Sequence, residues 1–138
     1  MALKLIQQDV STLREAYEER KAEYDTLRAA GKWAGAVLYA GTLLELVLKL
    51  AICKHLGVAN LPVAFQVHDL EFLLYCSGQQ GAFSSNIVLQ KNFRFIVDHW
   101  STSLRYEGAA CSKQEAHEFD RALFDSASGD ITFLTQYF

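Results

Sequence analysis

The chain has 138 residues, 51% hydrophobic and 21% charged, which suits one globular domain with its own core and excludes a disordered chain. A net charge of −3 supplies no overall field for nucleic acid; residues 91–113 carry four cations against two carboxylates, a local +2 that leaves −5 elsewhere. The three cysteines, Cys53, Cys76 and Cys111, form no CxxC pair. Lys4, Gln7, Gln8 and Asp9 interrupt any opening apolar run, so reduced thiols and a cytoplasmic setting are expected. His55, His68, His99 and His117 are scattered without metal-ligand spacing, so neither a metal nor a cofactor is expected.

The first element runs from about Leu3 to Ala30. Apolar residues recur at Leu3, Ile6, Val10, Leu13, Tyr17, Tyr24 and Leu27 with charges between them, an amphipathic helix that ends near Gly31. The second, Lys32 to Gly57, is the most apolar, and between Trp33 and Cys53 only Glu45 and Lys49 are charged. Its length would permit a membrane span. Two charges near mid-span would be costly in lipid, however, and their spacing of four lets them pair on one helix face. A buried central helix is therefore expected, with Gly35 and Gly41 allowing close helix approach and the Glu45–Lys49 pair structural; no membrane association is expected.

Asn60 and Pro62 break the chain before a short helix from His68 to Cys76, opened by His68 or Asp69 and stopped by Gly78. Residues 77–85 read as a loop. Ser85 is positioned to cap a fourth helix that turns Leu89, Phe93, Ile96, Val97 and Trp100 inward. Ser112–Glu115 has the form of a capping box, opening a fifth helix through Phe119 and Leu123. The stretch Ser126–Asp130 can break that helix, and Ile131–Phe138 is too short to assign. Residues 1–138 are thus expected to form a single all-α domain, a four- to five-helix, mostly antiparallel up-and-down bundle.

Four features in order resemble the HEPN family (higher eukaryotes and prokaryotes nucleotide-binding). They are the run from Ala40 to Lys49 with its ExxLK-like core, the triplet His68-Asp69-Leu70, Trp100 followed by Arg105-Tyr106, and a polar-started helix from Ser112. They cover roughly residues 30–125, and Glu107 stands where some members follow Arg-Tyr with proline. The resemblance implies an up-and-down bundle, usually dimeric. Apolar content beyond what one small bundle covers also points to a homodimer.

Many HEPN proteins resemble metal-independent ribonucleases with an arginine followed four to six residues later by a histidine, and Arg94 to His99 has that form. The resemblance implies His99 as general acid or base and Arg94 as phosphate holder for attack by a ribose 2′-hydroxyl. Against catalysis, Phe95 stands where active members place a polar residue. A five-residue step also turns a helix by about 140° beyond a full turn, so the two side chains would not share one face. Read as ordinary surface residues, Arg94 and His99 would have Asp98 for charge balance.

Arg105 and Tyr106 suit phosphate contact and base stacking, or equally an internal brace in which Arg105 reaches a carboxylate such as Glu45. His68 could contact nucleotide or RNA, while His68 and Asp69 also suit a structural helix start. Two functions follow: a nucleotide- or RNA-binding module of toxin–antitoxin or defence type, or a ribonuclease with Arg94 and His99 at a dimer cleft. A purely structural interaction domain is the third. The resemblance makes a small nucleotidyltransferase a plausible antitoxin partner.

Overall fold

The structure, a computed structural model, describes residues 8–100 and 111–137. Among these it contains seven α-helices and no strand: α1 (Val10–Ala29), α2 (Trp33–Leu56), α3 (Leu70–Cys76), α4 (Gln80–Ser85), α5 (Ile87–His99), α6 (Lys113–Phe124) and α7 (Asp130–Leu134). Single 3₁₀ turns cover Val63–Phe65 and Thr135–Tyr137. The helical bundle agrees with the sequence reading, but it has more helices than the four or five expected.

Helix α1 begins at Val10 because the Asp9 carboxylate accepts the Thr12 amide at 2.7 Å, a side-chain cap. Its entry is tied to the loop beyond α2, where the Val10 amide donates to Ala59 O at 2.9 Å and the Leu61 amide to Gln8 O at 2.7 Å. Gln8 and Asp9 are therefore not helical, which corrects an expected start near Leu3; residues 3–7 lie outside the described residues. A tight turn through Gly31, at φ +71°, reverses the chain into α2. Leu27 then packs against Gly35 and Arg20 lies near the Tyr39 ring, so the two long helices run antiparallel.

Helix α2 is long and apolar enough to cross a membrane, but most of it is buried within the bundle. Leu43, Leu44, Val47, Leu48 and Ile52 are fully enclosed. Each such leucine is worth roughly 2–5 kcal/mol against truncation to alanine. At Gly41 the approach is very close: a β-carbon there would lie 1.9 Å from the Trp100 indole. That indole donates from Nε1 to Leu38 O at 3.1 Å, fixing the end of α5 against the middle of α2.

The segment expected as a loop over 77–85 instead contains α4. Its single buried side chain, Phe83, meets Phe93 of α5 and Phe133 of α7 edge-on at 5.8 and 5.7 Å. This packing outweighs a poor helical composition. Asn86, not Ser85, caps α5, its Oδ1 accepting the amides of Val88 and Leu89 at 3.1 and 3.3 Å. The Ser85 hydroxyl is already donated to Gly81 O at 2.9 Å. Leu89, Phe93, Ile96 and Trp100 are buried as expected, while Val97 is only half-buried. The capping box at Ser112 is present in both directions.

Candidate functional site

The expected pairing of Glu45 with Lys49 is present. Both are buried in α2, at 7% and 4% exposure, and the Lys49 ammonium donates to Glu45 Oε2 at 3.1 Å. The sequence did not reveal a third member. His68 places Nδ1 at 2.8 Å from Glu45 Oε1 while its side chain is 69% exposed. An ionised carboxylate only accepts, so Nδ1 carries the proton there and Nε2 is the ring's remaining polar atom. His68 is thus an oriented surface imidazole tethered to a buried carboxylate, whereas its neighbour Asp69 performs the expected cap, accepting the Phe72 amide at 3.1 Å.

Arg94 and His99 are not brought together within the protomer. The Arg94 guanidinium donates to Asp98 Oδ1 at 3.0 Å and lies 3.1 Å from Glu71 Oε2 on α3. His99 Nδ1 donates back along its own helix to Phe95 O at 2.8 Å. Its ring lies 4.6 Å from the Phe95 ring, which in turn packs 5.0 Å from Phe119 of α6. One side chain faces α3 and the other the α6 flank, as a five-residue helical step dictates. Two carboxylates already compensate the Arg94 charge, and a phosphate would have to displace them. Arg105 and Tyr106 lie outside the described residues.

Among the surface grooves, three lie along these helices. One, about 350 Å³ between α1 and α2, is lined by Glu19, Glu23 and Tyr39 with an apolar floor, and Arg20 pairs with that Glu23 at 2.8 Å. A cleft of about 120 Å³ joins α3, α4 and α5, with Glu71, Gln80, Ser84, Gln90 and Arg94 at its rim. The third, about 290 Å³ between α5 and α6, is lined by Asn92, Phe95, Glu118, Arg121 and Ala122. Asn92 and Arg121 were not singled out by sequence, since spacing places each on a helix surface without showing that the two surfaces meet.

Two further ionisable groups are unusual. The Tyr24 hydroxyl donates to Asp120 Oδ1 at 2.8 Å, and burial, followed by the Asp120 charge, pushes its pKa up. Asp130, the first residue of α7, is completely buried, and neither carboxyl oxygen has a hydrogen-bond partner among the described residues. Burial pushes its pKa up to about 9, so it holds its proton at neutral pH. Among the described residues no cluster of His, Cys, Asp or Glu could hold a metal ion, and all three cysteines are free. No family model, curated protein or solved structure matches the chain.

Proposed function

We propose that this chain is a HEPN-like module of toxin–antitoxin or defence type that binds a nucleotide or RNA and does not cleave it. The observation that carries this reading is the divergence of Arg94 and His99 across α5, with Arg94 held by Glu71 and Asp98 and His99 by Phe95 O. General acid–base cleavage needs the imidazole and the phosphate-holding cation to converge on one phosphodiester. Binding needs only exposed polar and aromatic groups, and the tethered His68 supports it. A small nucleotidyltransferase is the partner that accords with this reading, and a cytoplasmic setting accords with the free thiols.

The test pairs binding with cleavage. Labelled single-stranded RNA and radiolabelled nucleotides are titrated with the protein, and the same RNA is incubated with it in excess EDTA. Saturable binding with intact RNA is the expected result. Cleavage leaving 2′,3′-cyclic phosphate ends, lost in both His99→Ala and Arg94→Ala, would overturn it. That outcome would favour a ribonuclease whose site is completed by a second protomer, because the 2′-hydroxyl would be the nucleophile. Neither binding nor cleavage would leave a structural interaction domain.

A further inference from the structure

We propose that the α5–α6 groove is where the ligand sits, and that it takes one amine-bearing nucleobase together with its phosphate. This rests on the binding reading above and assigns it a place. The groove's volume, about 290 Å³, is at the lower end for small-molecule pockets and fits a single nucleotide unit better than a helix.

Each wall supplies a different kind of contact. The half-buried Phe95 ring lines the groove and is held in place by Phe119 at 5.0 Å and the His99 ring at 4.6 Å, so it offers a base only the side that faces the groove. A fixed ring is a stacking platform for a base of any identity. Asn92 donates from Nδ2 to Ser128 O at 2.9 Å, which sets its amide plane and leaves Oδ1 and a second N–H for a base edge.

Charge is divided along α6. Arg121 is exposed and forms no ion pair within 4.0 Å among the described residues, whereas Arg94 on the other flank of α5 is bound to two carboxylates. The Arg121 charge acts on the nearby Asp125 carboxylate, whose pKa it helps the Ala127 and Ser128 amides to lower, without a close ion pair that would keep its forked guanidinium from a phosphate. The nearby Asp125 carboxylate is already occupied by the amides of Ala127 and Ser128 at 2.9 and 3.0 Å. One turn earlier, Glu118 takes only a long contact of 3.4 Å from the Gln114 amide. A carboxylate beside a stacking face favours a base that presents N–H donors and disfavours one whose edge is mainly carbonyl. Adenine, cytosine and guanine therefore fit better than uracil.

The same chemistry is offered by a free nucleoside monophosphate and by a base within single-stranded RNA, and the experiment separates them. Affinities for AMP, CMP, UMP and a ten-nucleotide oligo(A) are measured with the wild-type protein, Arg121→Gln, Glu118→Gln and Phe95→Leu. Arg121 is exposed and Glu118 half-buried at the groove, and neither belongs to the core, so their variants are expected to keep the fold even if Phe95→Leu loosens the core. Arg121→Gln is expected to weaken AMP about tenfold, the loss of one charge-assisted contact. Glu118→Gln should narrow the preference of AMP over UMP. Oligo(A) binding at least tenfold tighter than AMP would identify the source as RNA, and equal affinity a free nucleotide. If the wild type binds these ligands but Arg121→Gln and Glu118→Gln stay within twofold of it, the groove is wrong and the module reading stands. If the wild type binds none of them, both fall.

Discussion

Replacing Asp130 by asparagine should stabilise the protein at neutral pH. The wild-type carboxyl titrates near 3.8 when unfolded and near 9 in the bundle, where it is buried without a hydrogen-bond partner among the described residues. Its folded pKa is the higher one, so its contribution to stability is fully present below the unfolded value and declines as pH rises towards 9. The slope is about 1.4 kcal/mol per pH unit, which over the three units to pH 7 is a loss on the order of 4 kcal/mol. Asparagine has nearly the same shape and is neutral like the protonated acid. The cost of burying an unpartnered polar group therefore cancels, and only the ionisation penalty is removed. Urea unfolding of both proteins should give equal stabilities near pH 3.5 and a gap of a few kcal/mol in favour of Asp130→Asn at pH 7. A gap that does not change with pH would show that the folded carboxyl titrates like the unfolded one, and a variant less stable at pH 7 would show that Asp130 is ionised and partnered in the folded protein.

Lys49→Ala should destabilise the fold by roughly 3 kcal/mol or more, because it leaves the buried Glu45 carboxylate without its cation and with the exposed His68 imidazole as partner; a loss within about half a kcal/mol in chemical denaturation would contradict the pairing. Lys49→Met should cost far less when combined with Glu45→Leu, which removes both charges together. Ser112→Ala should cost about 1 kcal/mol, read from the same unfolding curves, by removing the hydroxyl that accepts the Glu115 amide, while the Ser112 amide keeps its bond to the Glu115 carboxylate. Val63, Phe72 and Tyr75 are exposed at 79%, 39% and 68%, and light scattering should report a homodimer; a monomer at high concentration would remove the composite ribonuclease cleft.

What could be read from the sequence was local. The capping box at Ser112, the stop at Gly57 and the Glu45–Lys49 pair all depend on residues within four positions of each other, so spacing alone reveals them. Helix α4 was hidden because Gly81, Ser84 and Ser85 weaken its helical propensity and it has no side-chain cap. It owes its existence to Phe83 meeting Phe93 and Phe133, contacts far along the chain. The tie between His68 and Glu45 spans 23 positions and was invisible for the same reason. In the candidate site, helical geometry anticipated that Arg94 and His99 would diverge. Arg121 went unnoticed because its interest comes from the wall opposite it.

The contact between Gly41 and Trp100 has a consequence for how the sequence can drift. Because a β-carbon at 41 would fall inside the indole, the two positions exchange volume with each other and not with the rest of the core. Gly41→Ala alone should be severely disruptive, while pairing it with a smaller side chain at 100 should recover part of the loss. Across the descendants of this chain, positions 41 and 100 should therefore covary, with alanine or serine at 41 accompanied by the absence of tryptophan at 100.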